Sequence, residues 1–479
     1  MTMRRIATPW APTGTRVYCV PGMLLLKLRL GEAPEDIPAR NDVRDGAAEA
    51  ATELDGGALD RVLRMEGGGA RVVRLHTAAA NIARVGRRNC NYSSDEQISG
   101  VARTFIVRTD PRASLGDLTQ RLASVSTVDW VSPNYLAATP CDAPLRVPGN
   151  DSELVDDAEM WEPWRMIRAP QALAYEPGDS AVIVGVVDSG VARTHREFVR
   201  PFRQGYDTVQ LGQADIGPGV ELLGDRATPD HDPVDEYVGH GSACAAIIGA
   251  EGFDMPPGLA GDAQLLPMRA LGAVRAPGRT APIGMGSIAD LDAAVKLAID
   301  LGARVLNLSF GTDDAQLTPG LPKPHADVIA YGAQRGCVFV AASGNSGQEA
   351  IYWPAAYPEV IAVGAVGTNF RPTSFSTRGE HVALCAPGER IFTAALDGYQ
   401  RATGTSFAAP FVTATAALMI ARAERRAFPI EPQLVKHILM ATSRAFSEPV
   451  PLHGAGILDA AAAVAAIDAF IDRAQQEDG

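Results

Sequence analysis

Short runs of apolar residues alternate with amphipathic stretches over most of this chain. From about residue 161 onward the apolar runs are AVIVGVV (181–187), ARVLNLSF (303–310), CVFVAA (337–342), VIAVGAV (360–366) and VALCA (382–386). They contain too few polar positions for strands with one face in water, so we predict parallel strands that are covered on both faces. Between them, residues 287–303 carry apolar residues at helical spacing. The pattern predicts an α/β fold with an open, doubly wound, mostly parallel sheet.

The first part of the chain has a different pattern. Between residues 16 and 136, the periodicity predicts the order strand, helix, strand, strand, helix, strand. This β-α-β-β-α-β order predicts an α+β, ferredoxin-like domain. Two polar stretches rich in Gly, Ala and Asp, residues 31–56 and 77–99, are predicted to be exposed loops.

Composition supplies the remaining boundaries. Residues 137–160 are rich in proline and acidic residues and predict an exposed linker. We therefore divide the chain into an unstructured N-terminus (1–15), an α+β domain (16–136), a linker (137–160), an α/β domain (161–470) and a C-terminal tail (471–479).

Charge and cysteine content exclude several classes of protein. The net charge of −13 argues against a nucleic-acid-binding surface. The run MLLLKLRL (23–30) is too short and too charged to span a membrane. The six cysteines show no CxxC spacing, which argues against a zinc site. Prolines at 9 and 12 interrupt the N-terminus before a secretory signal develops, so we expect a cytoplasmic protein with free thiols. Export by another route stays open.

Four polar residues lie where the predicted strands end or a predicted helix begins. Asp188, His240, Asn345 and Ser406 each stand among glycines and small residues, and each alone would be an ordinary cap or turn residue. Together they form a chemical set. A serine hydroxyl becomes nucleophilic when an imidazole accepts its proton and a carboxylate orients that imidazole. An Asn side chain and helix N-terminal N–H groups can stabilise the resulting oxyanion.

The motifs that carry these residues resemble those of the subtilisin-like serine proteases, or subtilases. They are VVDSGV, HGSACA, LNLSFG, AASGNSG, VIAVGAV and GTSFAAPFVTATAAL, and they follow the subtilisin order Asp, His, Ser. The resemblance extends from about residue 161 to 470. It implies that Asp188 orients His240, that His240 is general base and then acid, that Ser406 is the nucleophile, and that Asn345 is an oxyanion donor.

The resemblance also implies a set of substrate-binding residues. One strand edge that would pair with an extended substrate consists of Ser309, Phe310 and Gly311. The facing edge consists of Gly284, Met285 and Gly286, and further candidates are Ser343, Gly344 and Tyr352. Tyr352 aligns where many relatives carry glycine at the floor of the P1 pocket, so we expect a restricted pocket.

Two departures from the family pattern affect the chemistry. Cys244 places a thiol beside the predicted general base. The loop 250–262 does not reproduce the calcium-binding loop of secreted relatives. We therefore predict no catalytic metal and no cofactor, with calcium left open.

The N-terminal domain resembles a subtilase inhibitory propeptide in two phrases, VPGMLLLKLRLGE and TVDWVSPNYLA. The resemblance implies an intramolecular inhibitor whose extension, about 137–146, runs beside Ser309–Gly311. A sandwich that only extends the core, and a separate inhibitor protein as partner, are the alternatives.

The leading hypothesis is a serine endopeptidase that acts on protein or peptide substrates, without nucleic-acid or membrane partners. One alternative is a peptide-processing or transpeptidating subtilase with a narrow substrate choice. Another is a non-catalytic binding protein on the same scaffold, although a binding protein has no physical need for all four polar residues.

Overall fold

The computed structural model of the protein describes residues 19–139, 145–146, 157–200, 202–217, 219–277 and 279–477. The predicted unstructured N-terminus, 1–15, lies outside these ranges, as does much of the predicted linker.

Residues 19–138 form a sheet with helices packed on it. The elements are, in chain order, β1 (Cys19–Leu28), α1 (Arg40–Arg44), α2 (Ala58–Gly67), β2 (Arg71–Arg74), α3 (Ser94–Ser99), β3 (Thr104–Arg108), α4 (Leu115–Ala123) and β4 (Val128–Ala138). The strands are ordered β2-β3-β1-β4, and each neighbouring pair is antiparallel. Helices α2 and α4 carry leucines at helical spacing and bury them against the sheet. The predicted ferredoxin-like arrangement is thus present.

The rest of the chain contains a central sheet and several strands outside it. These strands are, in chain order, β5 (Leu145–Arg146), β6 (Ile183–Asp188), β7 (Tyr206–Asp207), β8 (Glu221–Leu223), β9 (Gln264–Arg269), β10 (Gly272–Arg275), β11 (Ile283–Ser287), β12 (Ala303–Leu308), β13 (Thr312–Asp313), β14 (Val338–Ala342), β15 (Tyr352–Trp353), β16 (Val360–Val366), β17 (Val382–Pro387), β18 (Ile391–Ala394) and β19 (Tyr399–Ala402). The helices are α5 (Asp157–Met166), α6 (Ala169–Tyr175), α7 (His240–Gly249), α8 (Ile288–Asp300), α9 (Ala326–Gln334), α10 (Thr405–Arg425), α11 (Pro432–Ala441) and α12 (Ala460–Glu477).

The central sheet has the order β17-β16-β14-β12-β6-β9-β7, and all its neighbouring strands are parallel. Five of its strands, β6, β12, β14, β16 and β17, are the predicted apolar runs, and they are almost wholly buried because helices cover both faces. The sequence did not predict β7 and β9. Helix α10 is long and apolar enough to cross a membrane by composition, but 94% of its apolar window is buried inside the protein. It therefore serves as a core helix of the fold.

Three predicted boundaries differ from the structure. Strand β4 continues through Ala138 because it gains a second partner, β11, and this joins the N-terminal sheet to β11, β10 and β8. Helix α5 begins at Asp157, inside the predicted linker. The predicted tail at 471–479 is not separate, since α12 continues to Glu477 and buries Ile471 in the core.

The two stretches predicted to be exposed loops are also partly helical and buried. Helix α1 lies in the first stretch and α3 in the second, and both bury charged side chains. Arg40 pairs with Asp290 at 2.8 Å and Glu96 with Lys296 at 2.6 Å. These polar residues are buried because their partners lie on α8, which no local pattern reveals.

Candidate active site

Asp188 and His240 form a buried pair at one edge of the central sheet. Asp188 is the last residue of β6, and His240 is the first residue of α7. The Nδ1 atom of His240 lies 2.8 and 2.9 Å from the two carboxylate oxygens of Asp188. Asp188 is fully buried and His240 is 9% exposed. A carboxylate in this position fixes the imidazole tautomer and leaves Nε2 to exchange protons.

Glycines allow this close approach. Gly239, the residue before α7, has a φ of 78°, in the left-handed region that favours glycine. At Gly241 a Cβ atom would collide with the Gly190 carbonyl oxygen and lie 3.0 Å from the Cβ of Asp188. The glycines on both sides of His240 are therefore required for the helix to begin against the end of β6.

Ser406 lies in the first turn of α10 and against the end of β12. Its hydroxyl donates to the Ser309 carbonyl at 3.4 Å, and the Ser309 hydroxyl donates to the Ser406 carbonyl at 2.8 Å. The His240 ring contacts that of Phe407, the next residue, with centroids 5.2 Å apart. Within the described residues, the buried Nε2 of His240 has no hydrogen-bond partner. The structure thus brings the three segments together and leaves His240 Nε2 without a competing partner in the part of the chain that it describes.

Asn345 is fixed beside the start of α10. Its side-chain oxygen accepts hydrogen bonds from the backbone N–H and the hydroxyl of Thr405, each at 2.9 Å. This uses the oxygen and leaves the Nδ2 group as the donor. A Cβ atom at Gly404 would lie 3.0 Å from that Nδ2, so the glycine preserves the space beside it. The arrangement suits an oxyanion donor.

The two predicted substrate-binding edges lie on either side of residues 136–139. Residues Gly284–Gly286 belong to β11, and its Met285 and Gly286 pair with Ala138 and Ala137. The Thr139 N–H donates to the Gly284 carbonyl at 2.9 Å. On the other side, Ala138 forms an antiparallel bridge with Gly311.

The side chains of the two edges contribute little to this groove. Those of Phe310 and Met285 are each 1% exposed and face the core. Both edges therefore present backbone rather than side chains, as strand pairing requires.

The Tyr352 ring lies between Gly344 and Gly311, two of the substrate-binding candidates. Ideal Cβ atoms at Gly344 and Gly311 would lie 2.6 Å and 3.6 Å from opposite edges of the Tyr352 ring. Strand pairing of Tyr352 with Asp313 holds the residue in place. Ser343, the remaining candidate, is fully buried, and its hydroxyl donates to the Thr377 carbonyl at 3.1 Å. Ser343 thus supports this wall from behind.

Two buried groups stand beside the Asp188–His240 pair. The Cys244 thiol, which the sequence singled out, donates to the Ser406 carbonyl at 3.4 Å, and burial raises its pKa well above the usual value. Asp235 was missed. Its carboxylate accepts from the Ser189 hydroxyl at 2.8 Å, and burial raises its pKa to about 6. The signal that could have found it is its position, five residues before His240, in a run of acidic residues.

The ligand atoms of Asp188, His240 and Cys244 lie within 4.8 Å of one another. Asp188 is already committed to His240, and the raised pKa of the Cys244 thiol disfavours the thiolate that binds metals. These residues fit a proton-transfer pair better than a metal site.

The loop 250–262 contacts the carboxylate of Glu197, and these contacts do not suit a calcium ion. That carboxylate accepts from the backbone N–H groups of Gly252, Phe253 and Asp254 at 2.7, 3.1 and 2.9 Å. The Tyr399 hydroxyl donates to it as well, at 2.7 Å. Calcium needs converging oxygen atoms, whereas N–H groups converge here.

Comparison with known proteins agrees with this geometry. A family model described as the subtilase family matches residues 179–458. The chain belongs to the subtilase family. This range includes Asp188, His240, Asn345 and Ser406, while residues 1–178 lie outside the match.

Individual relatives of this subtilase match parts of the chain. A thermophilic serine proteinase of Bacillus sp. strain AK1 is 35% identical over 243 residues, 50% of this chain and 53% of that protein. Thermitase of Thermoactinomyces vulgaris is 32% identical over 254 residues, 53% of this chain and 79% of that protein. The chain thus spans about half the length of the first relative and most of the second.

A solved structure shows the same fold. It is described as proteases from Pseudoalteromonas arctica PAMC 21717 and matches with a TM-score of 0.53 at 23% identity. The match covers 68% of this chain and all of that one.

Proposed function

We propose that this subtilase is a serine endopeptidase that hydrolyses extended polypeptides through Ser406. The observation that carries the proposal is the buried Asp188–His240 pair, whose free Nε2 lies in the same site as Ser406 and the amide of Asn345. The sequence assigned these four residues from their motifs, and the geometry supports the assignment.

In the proposed reaction His240 Nε2 takes the Ser406 proton while Oγ attacks the substrate carbonyl carbon. Asp188 stabilises the imidazolium that forms. The oxyanion is stabilised by the Asn345 amide and the N–H groups at the start of α10. The imidazolium then protonates the leaving amine as the C–N bond breaks. Water repeats the sequence on the acyl-enzyme and regenerates Ser406.

Hydrolysis of a peptide substrate tests this proposal. Ser406→Ala, His240→Ala and Asp188→Asn should each lower turnover by several orders of magnitude, and combinations should add little, as is known for subtilisin. Ser443→Ala is the matched control, because this hydroxyl, just after the end of α11, donates to the Leu439 carbonyl of that helix and has no other partner among the described residues. Mass analysis of the products distinguishes hydrolysis from transfer to an amine. Turnover that survives in Ser406→Ala would refute the proposal.

We also propose that residues 19–139 inhibit the peptidase within the same chain. Residues 136–139 pair with β11 on one side and bridge to Gly311 on the other, which is how an extended substrate would bind these edges. The predicted continuation through 140–144 lies outside the described residues. Because the segment is tethered, its effective concentration is high and modest affinity suffices.

A two-fragment experiment tests the inhibition. Residues 155–479 are expressed and refolded alone, and residues 1–150 are added during assay of a chromogenic peptide. Inhibition in the micromolar range or tighter supports the proposal, and the same fragment with Ala138→Pro should inhibit less because proline removes a strand hydrogen bond. Unchanged activity with folded fragment in excess would refute it and favour a separate inhibitor protein.

We further propose that the peptidase prefers a small residue at P1. Support comes from the Tyr352 ring, which occupies the space between Gly311 and Gly344. Tyr352→Gly should increase cleavage after Phe relative to Ala, while Tyr352→Phe, which keeps the ring, should not. Ser346, the residue after Asn345, is uncharged, and its hydroxyl is hydrogen-bonded to that of Thr377. We therefore expect no requirement for Lys or Arg at P1. Exclusive cleavage after basic residues would contradict this.

For location, we propose a reducing compartment such as the cytoplasm. The five described cysteines, at positions 19, 90, 244, 337 and 385, are unpaired, as thiols in such a compartment are. Immunodetection in separated cell fractions tests this, and recovery from the medium would contradict it.

A further inference from the structure

A network of hydrogen bonds centred on Asp235 lies beside the Asp188–His240 pair and takes no part in the proton transfers described above. The carboxylate of Asp235 accepts from the Val238 N–H at 2.9 Å and from the Gly239 N–H at 2.8 Å. It also accepts from the Ser189 hydroxyl at 2.8 Å, and that hydroxyl accepts from the Gly241 N–H at 3.0 Å. Asp235 is 3% exposed and Ser189 is 2% exposed, so water competes little for these bonds.

These hydrogen bonds join the two segments that carry Asp188 and His240. Ser189 follows Asp188, and its own N–H donates to the Asp188 carboxylate at 2.7 Å. Gly239 and Gly241 flank His240 at the start of α7. Asp235 thus connects the end of β6 to the start of α7 through one hydroxyl and two backbone N–H groups. The distance and angle between the catalytic carboxylate and imidazole depend on this connection.

Resting on the proposed function, we infer that Asp235 is a positioning residue, which in its ionised form holds His240 against Asp188 through Ser189. The ionised form is required because all three bonds to the carboxylate come from donors. A protonated carboxyl group would have to donate its hydrogen to Ser189 Oγ, which reverses that bond and replaces a charge-assisted hydrogen bond with a neutral one. The link to Ser189 would then weaken.

The surroundings of Asp235 favour its protonation in mildly acidic solution. Burial raises its pKa to about 6, and the nearby Asp188 carboxylate adds to the rise, while bonds from Val238, Ser189 and Gly239 oppose it. The cavity beside it carries the ionisable groups Asp207, Asp225, Asp230, Asp232, Glu236, Tyr237 and Arg269. The active, ionised form of Asp235 is therefore present above this pKa and is lost as the pH falls through about 6.

The test is the rate at which a small fluorophosphonate labels Ser406 in the full chain, measured against pH. This readout needs no bound peptide. Asp235→Asn should slow labelling about 10- to 100-fold, the effect of losing a hydrogen bond to a charged group. In the wild type the acid limb should include the proton that Asp235 takes up near pH 6, and Asp235→Asn, which lacks that proton, should have a shallower limb.

The control is Asp232→Asn, since Asp232 lies by the same cavity but pairs with Arg193 at the surface. It should label at the wild-type rate with the steeper limb. If Asp235→Asn fails to fold, Ser189→Ala tests the inference instead, because it removes the hydroxyl that links Asp235 to the Gly241 N–H. It should also slow labelling.

Wild-type rate and steepness in Asp235→Asn would overturn the inference. So would slow labelling with an unchanged acid limb, because a purely structural role gives that result. If neither the full chain nor residues 155–479 alone were labelled, the proposed function itself would be refuted, and this inference with it.

Discussion

Among single residues, Asn345 has the role that a single substitution tests most clearly. Removing one oxyanion donor from a subtilisin costs about 10²- to 10³-fold in turnover, and we expect Asn345→Ala to show a loss of that size at unchanged folding. Its oxygen is held by Thr405, so the variant also frees a backbone N–H. Kinetics with a chromogenic peptide measure the loss, with Thr405→Val as the control for the lost hydroxyl contact. A loss below twofold would remove Asn345 from the oxyanion site.

The sequence identifies a site residue only when that residue lies in a recognisable motif. Asp188, His240, Asn345 and Ser406 lie in glycine-rich motifs whose spacing the family shares, so the sequence predicted all four. Asp235 carries no such signal, because it is one acid among several in DRATPDHDPVDEY. Its burial depends on Ser189, which lies 46 positions earlier in the chain. Contacts of this kind form only when the fold closes.

At the scale of elements, Glu197 and the loop 252–254 form a closed hydrogen-bonded unit. Because N–H groups surround the carboxylate, we expect a chelator to leave the thermal midpoint unchanged.

Glu197→Gln should lower the free energy of unfolding by about 1.5–3 kcal/mol, the value of a hydrogen bond to a charged group. Asp262→Asn is the control, since its side chain is 64% exposed. Calorimetry measures both, and a midpoint that falls on chelation would contradict this account.

Element types were predictable and element ends were not. The buried parallel strands follow from uninterrupted apolar runs, and the ferredoxin-like order follows from local periodicity. The end of β4 at Ala138 depends instead on β11, which lies almost 150 positions later. The burial of Arg40 and Glu96 likewise depends on Asp290 and Lys296 of α8. Polar sequence predicted exposure there because local composition carries no information on distant partners.

At the scale of the whole molecule, buried ion pairs attach the N-terminal region to α8. Burial alone would raise the pKa of Glu96, but the Lys296 ammonium and several hydrogen bonds hold it below its usual value. Breaking a buried pair costs about 3–5 kcal/mol. We therefore expect Glu96→Gln to weaken docking and to raise the basal peptidase activity of the full chain more than tenfold.

Glu53→Gln is the control for this prediction. Its partner is Arg64, and the two side chains are 61% and 54% exposed, so the pair contributes little. Initial rates of peptide hydrolysis compare the two variants. Equal activities would show that the ion pair does not maintain inhibition.

Catalysis by Ser406 is tested by identifying the atom of the whole chain that reacts with an active-site reagent. Wild type and Ser406→Ala are treated with a small fluorophosphonate, and the adduct is located by peptide mass spectrometry. We expect one adduct, on Ser406, in the wild type and none in Ser406→Ala. Labelling that persists in Ser406→Ala, or an adduct on another serine, would contradict this expectation.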